Sequence, residues 1–265
     1  MLGGKISVVM PAFNEAENIV KNLRETVDTL TQLGYDFEVI VVDDGSGDDT
    51  WMAATGSLLD HHSNVRVLRY DQNEGKGNAV MRGTAVATGD YIVFLDADMD
   101  LHPAQLPVLF DIMLNEDADI VIGSKLHPGS RVNYPRSRRI ATTAYYGLVR
   151  RLFGLPLRDT QTGLKLFKAQ VLRRVFPKVL VKRFAADIEV LVVAHSLGYK
   201  ICEAPVTLVF QRRFGRIKPS DVFMIFKDTL AIFYRLKILR YYDSISEEWP
   251  APRQPIRELV GTKSR

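Results

Sequence analysis

The sequence predicts an α/β fold: a mostly parallel, Rossmann-like sheet flanked by helices, with amphipathic helices toward the C-terminus. Three observations lead there. Short β-branched apolar runs alternate with helix-spaced segments through the first half, two acidic motifs stand directly after two of those runs, and 265 residues, 46% hydrophobic and 25% charged, suffice for one large core. Strands separated by helices need crossover connections, so neighbouring strands run parallel and are covered on both faces.

The elements follow in order. Residues 6–10 (ISVVM) read as a buried strand. Over 15–33 the residues Ile19, Leu23, Val27 and Leu30 share one helical face, and Gly34 stops the helix. Residues 37–42 (FEVIVV) form a second strand, and Asp48 or Asp49 caps a helix running to about residue 60. A strand at 65–68, a helix at 77–87 ended by Gly89, and a strand at 91–95 (YIVFL) come next. Pro103 opens a helix as a first-turn proline, and 118–122 is a fifth strand. The pattern then changes to a loop over 123–139, a helix at 140–153, a strand at 164–167, a helix at 187–197, strands at 200–202 and 206–210 around Pro205, and a long helix at 221–242. Residues 243–265, with Pro250, Pro252 and Pro255, read as a flexible tail. One domain over 1–242 is expected, divided into halves at 122/123.

Charge divides along the same line. Residues 1–119 hold 7 Lys and Arg against 21 Asp and Glu, a net −14, and residues 120–265 hold 28 against 10, a net +18. The acidic half suits a hard cation and the basic half suits phosphates, nucleic acid or an anionic membrane, unless the split is mere segregation on solvated surfaces. One cysteine, Cys202, rules out an internal disulfide and an all-cysteine metal site. No signal-like segment opens the chain, and no run of about 20 uncharged apolar residues suggests a spanning helix.

The chemistry concentrates at strand ends. Asp43-Asp44-Gly45-Ser46 follows the second strand and Asp96-Ala97-Asp98 the fourth, and open α/β sheets bind ligands outside such ends. Carboxylates at i and i+2 can reach one Mg²⁺ or Mn²⁺, which shares its oxygen shell with substrate phosphates. Asp100 extends the set as a third candidate ligand; a calcium loop is excluded, because His102 and Val108 stand where its Gly and Glu belong. An isolated Asp pair after a strand is more often a turn or cap, but two in one sheet favour the cation. Pro11-Ala12-Phe13-Asn14-Glu15 offers an edge for a base and ribose, or a capping turn on Asn14. Gly75-Lys76-Gly77-Asn78 puts a lysine at a helix start, where a pyrophosphate can be approached, although it is neither a Walker loop nor G-x-G-x-x-G.

Together PAFNE, VVDDGS, NEGKGNA and DADMD, in this order, resemble the family 2 glycosyltransferases with the GT-A fold over about residues 5–240. RDTQTGLKLF (158–167) and FAADIE (184–189) are similar to the dolichyl-phosphate β-glucosyltransferases, whose relatives include the dolichyl-phosphate mannosyl synthases. The resemblance implies a nucleotide diphosphate sugar, a divalent Mg²⁺ or Mn²⁺, and a polyprenyl phosphate acceptor at a membrane surface. It places Pro11, Phe13, Glu15, Val42 and Asp44 on the nucleotide and Asp96, Ala97 and Asp98 on metal and diphosphate. Arg212 and Lys218 match a mobile basic loop closing over donor and acceptor, and Lys76 and Lys125 complete the donor-binding candidates. Lys125 stands where the mannosyl synthases usually have Arg, Asp100 where they often have Gln, and Ile217 where a serine usually precedes the loop lysine. The first two departures point away from mannose, and UDP-glucose is the favoured donor.

No acidic residue lies between Ile120 and Arg158, and Arg131, Arg136, Arg138 and Arg139 are candidates to grip the acceptor phosphate bidentately. Charges interrupt the apolar helices at 141–153 and 221–242, which suits an interfacial rather than a spanning helix and a peripheral place on the cytoplasmic face of a membrane; core or oligomer packing is the alternative. An acceptor phosphate, already ionised near neutral pH, needs no strong base. Asp187 is therefore assigned to a sugar hydroxyl or to orienting the acceptor, against the alternative of a helix cap, and the expected reaction is a single inverting displacement. A GDP-mannose-dependent synthase and a sugar-1-phosphate nucleotidyltransferase are the competing readings, the latter lacking its G-x-G-T-R-type loop. A nucleic-acid or lipid-binding module leaves DADMD and VVDDGS unexplained, and no nucleic-acid partner is expected. The oligomeric state is open.

Overall fold

The computed structural model describes residues 3–56, 63–98, 100–132, 136–183, 185–208, 219–243, 249 and 255–261, without the side chains of 136–141 and 219–221. Side-chain alternation along the strands divides the interior in two. In β1 (Ile6–Ala12), Ile6, Val8 and Met10 face one side of the sheet and Val9 the other; in β2 (Phe37–Asp44), Val39 and Val41 share the first side, Ile40 and Val42 the second. The first side is covered by α1 (Ile19–Gln32), α2 (Thr50–Gly56) and α4 (Leu106–Asn115), and α1 buries Ile19, Leu23, Val27 and Leu30 there. The second is covered by α3 (Lys76–Val86), α5 (Arg136–Phe153), α6 (Ala169–Val175) and α7 (Ala186–Ser196). Each such Leu, Ile or Val contributes about 1.5–3 kcal/mol when fully buried.

With β3 (Val65–Tyr70), β4 (Tyr91–Leu95), β5 (Ile120–Ser124), β7 (Leu164–Lys168), β8 (Ile201–Pro205) and β10 (Arg257–Val260), the main sheet has eight strands in the order β10-β3-β2-β1-β4-β7-β5-β8. β1, β2, β3 and β4 are parallel to one another, and β8 pairs parallel with β5. β7 is antiparallel to both β4 and β5, and β10 is antiparallel to β3. β6 (Arg131–Val132) and β9 (Thr207–Leu208) form a separate parallel pair. The chain runs outward through β1, β2 and β3, then returns to β4 on the other side of β1. That reversal opens a crevice at the carboxyl ends of β1, β2 and β4.

Several boundaries differ from the sequence reading. α1 starts at Ile19 rather than near 15, because Asn14 takes φ 55 and the chain turns before the helix begins. The helix expected to reach residue 60 is described over Thr50–Gly56, with Asp48 Oδ1 accepting from Thr50 N at 3.0 Å, while 57–62 lie outside the described residues. The loop expected over 123–139 contains β6 and the first turn of α5, and α6 was not foreseen. Of the strand expected over 206–210, Thr207–Leu208 is formed and 209–210 lie outside the described residues. The long helix expected to reach 242 is α8 (Pro219–Phe233) followed by a π turn at Tyr234–Ile238, and Arg240 at φ 48 ends it.

The expected flexible tail is corrected for part of its length. Residues 257–260 pair with β3, Arg66 joins Glu258 at 2.7 Å, and Trp249 packs on Phe176 with ring centroids 5.6 Å apart. A strand whose partner lies almost two hundred residues earlier is decided by that partner, not by the prolines near it.

The C-terminal helix is tied inward by a buried carboxylate, by Thr229 against the Tyr145 hydroxyl at 2.8 Å and by Ile232 in the second core. Glu189 on α7, fully buried, accepts from Leu180 N (2.9 Å), Val181 N (2.6 Å), Arg235 Nη2 (2.8 Å) and the Tyr242 hydroxyl. The opposite side of α8 and its π turn carries Phe223, Phe226, Leu230, Tyr234 and Ile238, three or four residues apart; Phe223 is 68% and Ile238 63% exposed.

Candidate active site

The end of β2 sets up the start of α3. Asp44 is 3% exposed, and its two oxygens accept from Glu74 N at 2.9 Å, Gly75 N at 3.0 Å and Asn73 Nδ2 at 3.0 Å. Burial pushes this carboxyl upward against those amide donors. Gly75 takes φ +100, and a Cβ there would lie 2.7 Å from the Lys182 carbonyl. A Cβ on Gly77 would lie 2.3 Å from Ala186 Cβ. The glycines flanking Lys76 thus let the start of α3 pack against the start of α7. In this arrangement Lys76 points at carboxylates.

Lys76 Nζ lies 2.7 Å from Asp96 Oδ1 and 3.8 Å from Asp187 Oδ2. Lys165 Nζ lies 2.9 Å from Asp187 Oδ1, and it also donates to the Thr162 carbonyl. Burial lowers the Lys76 ammonium's proton affinity, but Asp96 and Asp187 outweigh it and hold that affinity above the usual lysine range. Burial likewise opposes charge on Asp96, and Lys76, with Lys165 and Lys125 behind it, prevails and keeps this carboxyl below its usual range. Asp98 goes the other way, pushed up to about 6 by burial first and then by Asp96 and Asp100. The Asp100 amide donates to Asp98 Oδ1 at 3.2 Å, and the Ala97 carbonyl is held by Asn22 Nδ2 from α1. Beneath Asp96 lies Gly163, where a Cβ would stand 2.2 Å from Asp96 Oδ2.

The anionic crowding around Asp98, between Asp96 and Asp100, fits a divalent Mg²⁺ or Mn²⁺, with Lys76 as a cation already beside Asp96. Among the described residues no three carboxylate, imidazole or thiol groups gather into a nest of their own. Asp96, Asp98 and Asp100 thus do not by themselves converge into a metal-holding group.

The other sequence-predicted residues fall in three groups. Phe13 is 42% exposed beside Pro11 at the end of β1, and Asn14 next to it is braced by Ser46, whose hydroxyl accepts from Asn14 N at 2.9 Å. Glu15 is 5% exposed, its amide donating to Thr50 Oγ1 at 2.8 Å. Val42 is fully buried with its side chain in the second core, so a ligand at the crevice can reach only its backbone. Lys125, just past β5, lies 3.7 Å from Asp159 Oδ2. Asp187 sits in the first turn of α7 with its carboxylate on two lysines; the residue preceding that helix is Ala185, with no side-chain cap, so the capping alternative does not hold. Arg131 is exposed on β6. The side chains of Arg136, Arg138 and Arg139, and all of Arg212 and Lys218, lie outside the described residues.

Sequence reasoning missed Lys165, Gly163 and Asp159. A usable signal existed for the first: in LKLFK the lysine occupies a strand position whose i+2 neighbour, Phe167, is core.

A family model described as "Glycosyl transferase family 2" matches residues 7–176. The chain is 34% identical over 213 residues to the dolichyl-phosphate beta-glucosyltransferase of Dictyostelium discoideum, covering 76% of this chain and 65% of that protein. It is 35% identical over 206 residues to glycosyltransferase AglD of Haloferax volcanii, covering 77% and 33%. The dolichyl-phosphate beta-glucosyltransferase of Drosophila melanogaster is 35% identical over 215 residues, covering 76% and 66%. The chain thus spans less than two thirds of the length of each of these relatives. Among solved structures, glucosyl-3-phosphoglycerate synthase from Mycobacterium tuberculosis, in complex with Mn²⁺, UDP-glucose and phosphoglyceric acid, superposes with a TM-score of 0.66 at 23% identity over 88% of this chain and 79% of that one; this likeness is one of fold. No described helix is long and apolar enough to cross a membrane.

Proposed function

The chain belongs to glycosyl transferase family 2, and from that premise we propose that it moves a glucosyl group from UDP-glucose to a dolichyl-type polyprenyl phosphate at a membrane surface. The observation that carries the reading is the convergence of Lys76, Asp96, Asp98 and Asp187 at the crevice where β1 and β4 part, in a chain about a third identical over three quarters of its length to proteins named dolichyl-phosphate beta-glucosyltransferase.

In this reading the donor lies across the strand ends, its base on the exposed ring of Phe13 beside Pro11 and its diphosphate toward Asp96 and Asp98. Those two carboxylates, with Asp100, would hold Mg²⁺ or Mn²⁺, which when bound supplies Lewis-acid stabilisation of the departing diphosphate. Lys76 supplies a fixed cation on the same side of Asp96. Lys125 closes the donor side, and Arg212 and Lys218 would close over both substrates. The acceptor phosphate, held by Arg131, Arg136, Arg138 or Arg139, attacks the anomeric carbon through an oxygen that is already ionised. The bond to UDP breaks as the new carbon–oxygen bond forms, so the configuration inverts and no proton has to move. Asp187 orients a sugar hydroxyl or the acceptor.

The exposed stripe of α8 supports a membrane partner. Its aromatic and aliphatic side chains are interspersed with the exposed Lys227 and Lys237, the composition of a helix lying in a headgroup layer. In this reading the enzyme sits peripherally, on the cytoplasmic face.

The test is a donor screen with purified protein, polyprenyl phosphate vesicles and Mn²⁺, reading radiolabelled glycolipid. UDP-glucose should label the lipid with a β linkage by NMR. Labelling from GDP-mannose instead, or an α-linked product, overturns the proposed reaction.

A further inference from the structure

Lys165 is a lysine at a strand position that otherwise takes an apolar side chain. Leu164 and Leu166 beside it belong to the first core, and Phe167, two residues on, to the second. Lys165 is 1% exposed. A buried ammonium is unfavourable unless it is paired and hydrogen-bonded, and Met or Leu would fill the same space without that requirement. Here the pairing is specific: Nζ is 2.9 Å from Asp187 Oδ1 and is anchored from behind by the Thr162 carbonyl. The second oxygen of Asp187 faces Lys76 at 3.8 Å, and Lys76 holds Asp96.

One short segment therefore touches both carboxylates. Gly163 packs under Asp96 without room for a Cβ, and two residues later Lys165 grips Asp187. β7 is the antiparallel strand laid between β4, which ends at Leu95 just before Asp96, and β5. Asp96 and Asp187 are thus braced from this segment as well as by Lys76, which faces both.

We propose that Lys165 is a positioning residue for the transfer: it takes one oxygen of Asp187 so that the other is presented to the bound sugar or acceptor at a fixed distance from Asp96. The inference rests on the reaction proposed above, and it assigns to Lys165 a role on turnover rather than on donor affinity, because Lys165 is sealed from the crevice.

A double-mutant cycle tests it, using Lys165→Met, Asp187→Asn and the pair, run on whichever nucleotide sugar and phosphate acceptor the wild type turns over. A wrong choice of sugar or lipid then overturns the proposed reaction and leaves this test standing. Lys165→Met should lower kcat by about 100-fold, as expected for a misplaced group, with the donor KM and the Mn²⁺-dependent UDP affinity from calorimetry within about twofold of wild type. In the Asp187→Asn background the same change should cost less than about threefold. Lys165→Gln, which keeps a donor, should recover part of the loss and also serves if Lys165→Met does not fold. Equal losses in both backgrounds, or a loss carried by UDP affinity, would mean that Lys165 is only a structural pair and overturn the assignment.

Discussion

The Lys76 ammonium lies 2.7 Å from Asp96 Oδ1, so the first carboxylate of the strand-end pair already carries a counter-cation before any ligand arrives. A divalent ion approaching Asp96 must share it with Lys76. Lys76→Gln should therefore bind Mn²⁺ alone about tenfold more tightly while binding UDP–Mn²⁺ more weakly, because the lysine's charge is then missing opposite the diphosphate. Calorimetry with Mn²⁺ alone and with UDP separates the two effects; parallel changes would show that Lys76 does not compete for Asp96.

Asp98→Ala should abolish turnover and leave the fold intact. Its carboxyl is crowded by Asp96 and Asp100, so its removal relieves repulsion, and thermal stability should not fall. Retained metal dependence in the variant would place the ion elsewhere.

Gly163→Ala asks how closely Asp96 must be held. A Cβ would stand 2.2 Å from Oδ2, and either the carboxylate or the loop has to move. A shift of about 1 Å is enough for a loss near 100-fold in kcat. Activity within threefold of wild type would show that Asp96 has slack.

These carboxylates were legible because each closes a run of β-branched residues, and such runs are strands with little ambiguity. β7 was legible as a strand but not in direction, since an apolar pattern is the same read parallel or antiparallel. β10 was hidden because RELV stays exposed and is held by backbone pairing with β3, with Arg66 and Glu258 paired across 192 residues. Lys165 escaped notice because a single lysine in a short strand reads as solvated until the opposite face is known.

Asp159 makes a prediction about pH. It is fully buried, and although burial works against its charge, Lys125, Tyr146 and Thr162 hold the carboxyl below its usual range. A carboxyl lowered by folding adds stability that is complete above its unfolded value, about 4, and is lost as pH falls through the folded value. Asp159→Asn should thus be clearly less stable than wild type in urea at pH 7, with the gap narrowing below about pH 4. A constant gap would mean that Asp159 acts through shape and not charge.

The α8 stripe predicts membrane behaviour. Wild-type protein should float with anionic liposomes at low salt, and Phe223→Ser with Ile238→Ser should reduce flotation severalfold while leaving the melting temperature unchanged, since both side chains are already exposed. Equal flotation of the variant would shift the contact to another surface.

The antiparallel strand at Arg257–Val260 bears on how this protein can be handled. A boundary drawn at the end of the C-terminal helix looks safe from the proline content beyond it, yet it would strip β3 of its outer partner and bare a row of unsatisfied amides beside Val65 and Val67. Truncated material would then tend to self-associate along that edge and could be mistaken for a natural oligomer.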